Sequence, residues 1–214
     1  KGIYSLEKFL IARRLMYWQV YMHKTVLSSE SLLVKVLKRA REVSLQGVEI
    51  FATPALKFFL RNNIGPADLG PGGLFSPGII ASNFTRLDDS DILASAKYWA
   101  DSSDLILSDL SRRLMTRNLL SVELQNDPFP EGRIEELTGM AAGYLKISPE
   151  LGQYYVFSGT VSNRTYAPDS PEVMILLKNG STADITEVSD MFEHRLLSER
   201  VTKYYLCYPK EIKK

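Results

Sequence analysis

SLEKFLIARRLMYWQVYMHK, residues Ser5 to Lys24, is the stretch from which the rest of the chain is best read. Its apolar residues recur at helical spacing, but on two sides. At about 100° per residue, Leu6, Phe9, Met16 and Val20 fall on one side and Ile11, Leu15, Trp18 and Met22 on the other. A helix lying on a protein surface keeps its apolar residues to one stripe, so this pattern predicts a helix covered from more than one direction and central in its fold. Arg13, Tyr17, Tyr21 and Lys24 follow one another at helical neighbour spacing and project along one strip of the first side. A guanidinium offers five fixed donors to a phosphate, and a tyrosine offers a flat, half-polar ring to a sugar or base. A structural reading of the same residues stands beside this one: Arg13 pairs with a carboxylate, and the tyrosines are core residues with bonded hydroxyls.

Outward from this stretch, 214 residues suffice for one large or two small domains with a sizeable core. Charged residues make up 24% and the net charge is +1, which gives no overall electrostatic footprint for nucleic acid or an anionic membrane. Cys207 is the single cysteine, so an internal disulfide and a cysteine-rich zinc site are excluded, and a reducing compartment, by default the cytoplasm, is expected. No apolar run has the length of a membrane span, and KGIYSLEK is not a signal-peptide pattern. The first residue is Lys1 rather than Met, and the sequence is expected to be a fragment or a mature product.

Downstream, Thr25 to Gln46 continues as a long helix with Leu33, Val36, Leu37, Ala40 and Val43 on one face, while Lys35, Lys38, Arg39 and Arg41 are expected on a solvated face. Pro54 to Arg61 reads as a short helix with proline in its first turn. Asn62 to Ser82, with five glycines and three prolines, reads as a loop; it lacks the Gly-Lys-Ser/Thr ending of a phosphate-binding loop. Two helices follow, the first capped from Asp88, Asp89 or Ser90 and the second from Ser102 or Ser103. The carboxylates of Asp88, Asp89 and Asp91 are read as capping groups rather than a metal cluster. A short strand over Leu119 to Leu124 and a helix over Arg133 to Leu145 come next. From Gln153 the pattern turns to aromatic and β-branched residues, with Asn179-Gly180 as a hairpin signal and SDMFEHRLLSE as a short helix starting from Ser189. The fold class is therefore α+β, with a mainly α-helical N-terminal two-thirds and a small C-terminal β-rich region, divided as residues 1–147 and 148–214.

Chemistry is sparse. His23 and His194 are far apart, and neither has a His or Cys partner at metal-ligand spacing. There is no nucleophile elbow, and Cys207 sits between bulky residues of an expected strand, where a thiol is buried and inert. The 25 acidic residues single out no acid/base pair.

Arg13, Tyr21, His23 and Lys24, in the order R-x7-Y-x-H-K, resemble the helix that follows the catalytic core in HD-domain deoxynucleoside triphosphate triphosphohydrolases, a family that includes the bacterial dGTPase-like enzymes and the mammalian SAM-and-HD-domain dNTP hydrolase. LDDSDI, a helix pair and the Arg117-Asn118-Leu119 ending are similar to that family's helical lobe, and YYVFSGTVSNRTYAP with VTKYYLCYP to the tail of its bacterial members. The resemblance implies that Arg13 contacts a triphosphate, that Tyr21 packs near deoxyribose and base with Tyr17 assisting at the base, and that His23 and Lys24 lie near a regulatory nucleotide at a subunit interface of a homo-oligomer. It also implies a divalent metal ion held by an H…HD…D motif. This chain has no His-Asp pair, so that ion is expected outside it, upstream in a parent enzyme, and the chain alone is expected to be inactive and to hold no cofactor. The expected function is the C-terminal half of a phosphohydrolase cleaving a dNTP to deoxynucleoside and triphosphate. The alternative is a non-catalytic oligomerisation or interaction module built around the apolar helix.

Overall fold

The computed structural model describes residues 2–69, 73, 75–163, 174–189 and 201–213. It is an α+β fold in which helices dominate to residue 120 and strands gather towards the C-terminus. The chain forms two compact units, one of residues 28–120 and 147–154, the other of residues 1–27, 121–146 and 155–214. These differ from the division at residue 147 expected from composition.

The first of these units is helical. It holds most of α2 (Lys24–Leu45), with α3 (Pro54–Arg61), α4 (Pro77–Phe84), α5 (Asp89–Trp99), α6 (Leu105–Met115) and the single-turn α8 (Pro149–Gly152). Leu32, Val36, Ala40 and Val43 of α2 are buried at spacings of four, four and three, the core stripe of an amphipathic helix. Trp99 is buried as well, and its indole N–H donates to the Phe51 carbonyl at 2.8 Å, which meets the polar need of a core tryptophan. Helix α4 begins within the stretch expected to be a loop and runs two residues past it: Pro77 occupies its first turn, where a missing N–H costs nothing, and the surrounding glycines and prolines hide this start signal.

Capping fixes where α5 and α6 begin. The Asp88 carboxylate accepts from the N–H groups of Ser90 and Asp91 at 2.7 and 3.3 Å, and Asp91 accepts from the Asp88 N–H at 2.8 Å, a closed capping box. In α6 the cap is Asp104 rather than a serine; it accepts from the Leu107 N–H at 2.8 Å, while the Ser102 hydroxyl accepts from the Asp104 N–H. The same carboxylate binds Arg39 of α2 at 3.0 and 2.6 Å. Arg39 also reaches Glu42 at 3.1 Å, the Tyr154 hydroxyl donates to Glu42, and Lys35 donates to the Gln153 carbonyl at 2.8 Å. Arg41 donates to Asn63 at 2.7 Å. Lys35, Arg39 and Arg41, expected on a solvated face, are therefore clamps between segments of this unit.

The other unit is built on a three-stranded antiparallel sheet of β1 (Ser121–Gln125), β5 (Val201–Tyr208) and β2 (Phe157–Asn163), with β5 in the middle. Val122 and Phe157 both pair with Cys207, and Gly159 pairs with Tyr205. Helix α7 (Glu131–Leu145) contributes Leu137 and Ala141 to a core with Phe129, Val156, Leu206 and Tyr208. A two-stranded hairpin, β3 (Met174–Leu176) and β4 (Thr182–Asp184), turns at Asn179-Gly180, where Gly180 takes the positive φ of 84° that the turn requires. One-turn helix α9 (Ile185–Val188) follows. Of the short helix expected over SDMFEHRLLSE, all but Ser189 lies outside the described residues.

Gly159 is required by a close approach. A Cβ there would lie 2.5 Å from Cζ and Oη of Tyr205, whose ring crosses the glycine on the neighbouring strand. Gly159→Ala is expected to destabilise the protein by about 1–3 kcal/mol in thermal unfolding, and to cost much less when Tyr205→Ala has already removed the ring.

Candidate functional site

Helix α1 (Gly2–Met16) does not run on to Lys24. Its last turn widens into a π-turn over Tyr17–Tyr21, closed by the Met22 N–H donating to the Tyr17 carbonyl at 2.8 Å. The chain then leaves the helix at His23, which starts α2: its carbonyl accepts from the Leu27 N–H at 3.0 Å and its Nδ1 from the Thr25 N–H at 3.2 Å. The expected single helix is thus two, and Lys24 belongs to the second. A side chain that accepts the free N–H groups at a helix start can interrupt an otherwise helical pattern.

Among the described residues, the expected cover from two sides is not found. Only Glu7 and Leu10 are buried in α1. Leu6, Leu10 and Ile11 pack with Ile175 and Ile185, while Phe9 (59% exposed), Leu15, Met16 and Val20 remain exposed. Glu7 is fully buried; its Oε1 accepts from the Ser189 hydroxyl, and its Oε2 has no partner among the described residues. Its place on the same side as Leu10 and Ile11 is the signal that would have marked it.

Arg13, Tyr17 and Tyr21 come together as a strip. The Tyr17 and Tyr21 ring centroids are 5.0 Å apart at 56°, and the Arg13 guanidinium carbon lies 5.9 Å from the Tyr17 centroid. Arg13 and Tyr21 are exposed and Tyr17 is half-buried. Among the described residues Arg13 forms no ion pair, so its donors are presented outward. Among the described residues no carboxylate pairs with Arg13, and neither tyrosine is fully buried. His23 and Lys24 are exposed beyond the π-turn, past the end of the strip.

Other polar clusters have their groups committed. A cleft of about 240 Å³ is lined by Glu123, Arg133, Glu136, Met140, Tyr208 and Lys213. There the Tyr208 hydroxyl donates to Glu123 at 2.6 Å, and one Arg133 nitrogen donates to both Glu123 oxygens at 3.0 and 3.1 Å. The Tyr208 bond, with Arg133 adding to it, holds the Glu123 carboxyl below its usual range against the opposing effect of burial. Burial and the Glu123 charge push Tyr208 up. In the helical unit, burial opposes ionisation of Asp104, but the Arg39 bonds and the Leu107 N–H outweigh it and its pKa is lowered. Burial and the bond to Glu42 push Tyr154 up to about 12. Charges matched in this way are clamps, not poised bases.

Among the described residues no three His, Cys, Asp or Glu side chains converge to hold a metal ion. His194 lies outside the described residues. Cys207 is buried in β5. Among the described residues no helix is long and apolar enough to cross a membrane.

No protein-family model matches the chain. The crystal structure of a phosphohydrolase from Bacteroides thetaiotaomicron superposes with a TM-score of 0.87 and is 43% identical, over 97% of this chain and 50% of that one. The chain resembles half of a phosphohydrolase. YwfO, an uncharacterized protein of Bacillus subtilis, is 29% identical over 220 residues, which is 99% of this chain and 46% of the relative. The chain thus spans about half the length of the relatives it matches.

The two depressed carboxylates set an acid limb. Because their folded pKa values lie below the unfolded ones, their stabilisation is full above about pH 5.5, begins to fall through the unfolded values and is lost as pH falls through the folded ones. Asp104→Asn is expected to cost about 1–3 kcal/mol in denaturant unfolding at pH 7 and to flatten the decline of stability below pH 4.

Proposed function

We propose that this chain is the C-terminal, substrate-positioning half of an HD-type phosphohydrolase that cleaves deoxynucleoside triphosphates to deoxynucleoside and triphosphate. The observation that carries the reading is the outward-facing Arg13–Tyr17–Tyr21 strip, in which a guanidinium without an ionic partner among the described residues lies beside two rings. The 43% identity to half of a solved phosphohydrolase supports it, as does the R-x7-Y-x-H-K resemblance.

In this reading Arg13 forms paired hydrogen bonds to phosphate oxygens and offsets the negative charge that builds on them as water attacks the α-phosphorus and the nucleoside oxygen leaves. Tyr21 packs against deoxyribose and base, and Tyr17 assists at the base. Binding energy from these contacts is used to orient the reacting phosphoryl group. The divalent ion of the parent enzyme belongs to the half outside this chain. His23 and Lys24, past the end of the strip, are assigned to a regulatory nucleotide at an interface between copies of the protein, and the working partner set is dNTP and a homo-oligomer, without membrane or nucleic acid.

One observation favours the second reading, a non-catalytic interaction module: Phe9, Leu15, Met16 and Val20 are exposed on a helix with few buried residues of its own. The two readings separate on one residue. In the full-length protein, Arg13→Ala is expected to lower kcat/KM for triphosphate release from dNTPs by about 10- to 100-fold with its elution by size-exclusion light scattering unchanged. A changed assembly state with unaltered nucleotide kinetics would replace the enzyme reading by the module.

A further inference from the structure

We infer that Tyr17 is a positioning residue for Arg13, its ring holding the guanidinium along the strip so that it meets the phosphate chain of a nucleotide already oriented; the inference rests on the function proposed above. An arginine on an exposed helix samples many rotamers, and ordering it on binding weakens affinity. Here the Arg13 guanidinium carbon sits 5.9 Å from the Tyr17 centroid, within reach of the negative face of the ring. The ring is itself held. Tyr17 is half-buried, whereas Arg13 and Tyr21 on either side of it are exposed, and the Tyr21 ring abuts it at 5.0 Å.

The contact lies within the π-turn. In a regular α-helix, residues four apart are already surface neighbours, rotated by about 40° from one another. Here both rings belong to the wider turn closed by Met22 N–H to Tyr17 O, and they meet at 5.0 Å and 56°. Tyr21 thus abuts Tyr17, and Tyr17 faces Arg13. This role acts through Arg13 and is separate from any contact of Tyr17 with the base, because it needs the face of the ring and not the hydroxyl.

Inorganic triphosphate, which has no base or sugar, separates the two roles. In the full-length protein, Tyr17→Leu is expected to weaken triphosphate binding in isothermal titration by about 2- to 5-fold, the range of an exposed cation–π contact, with Tyr17→Phe restoring most of the loss. In an Arg13→Ala background, Tyr17→Leu should cause no further loss, and the same non-additivity should appear in KM for dGTP, dATP, dCTP and TTP. Melting temperatures verify that each variant is folded, and Tyr17→Met serves if the leucine variant is not. Triphosphate affinity unmoved by Tyr17→Leu, additive losses, or a phenylalanine variant as weak as the leucine one would each overturn the inference while leaving the proposed function standing. Triphosphate release unaffected by Arg13→Ala would overturn both.

Discussion

Strand β5 is bonded on both edges, to β1 from residues 121–125 and to β2 from residues 157–163. This one strand decides how the chain is partitioned. A middle strand contributed by residues 201–208 cannot be satisfied by its sequence neighbours alone, and a strand with one bare edge would leave backbone donors and acceptors unpaired in the interior. Segments from across the chain are therefore drawn into one unit, and the core of Phe129, Leu137, Val156, Leu206 and Tyr208 assembles around the pairing. Burial of Leu206, Cys207 and Tyr208 at the end of β5 marks it as the place where the sheet carries its apolar load.

The helical unit is held by a different means. Asp104 accepts from the N–H at the start of α6 and from Arg39 on α2 at once, so one carboxylate ends a loop and anchors two helices. The pairing is bidentate and largely shielded from water, the geometry in which such a pair contributes more than a surface contact. Tyr154 and Glu42 extend it to the chain segment that returns at residues 147–154.

Local signals in the sequence are legible. Proline at the first turn of α3, the aspartate cap of α5, the Asn179-Gly180 turn and the β-branched strands are decided by residues within a few positions of one another, which is the range over which such signals act. What escaped was decided at a distance or by backbone phase. The clamps of Lys35, Arg39 and Arg41 have partners 118, 65 and 22 residues away, beyond any pattern on their own helix. The π-turn shifts the helical phase within five residues, so a fixed angle per residue carried Lys24 onto a strip it does not join. Arg13 lies before that shift, and Tyr17 and Tyr21 are its first and last residues. Their neighbour relations survive it, and so that part of the candidate site could be read from spacing.

The partition around β5 also has a temporal side. The helical unit is almost continuous in sequence, and its contacts other than those of residues 147–154 become available once residue 120 has been synthesised. The sheet must wait: β1 emerges about 80 residues before the strand that completes its pairing. Until then β1 and β2 have no middle strand, and their unpaired backbone edges are open to pairing with another chain. During biosynthesis, the vulnerable interval of this protein is set by the length of the segment between β1 and β5.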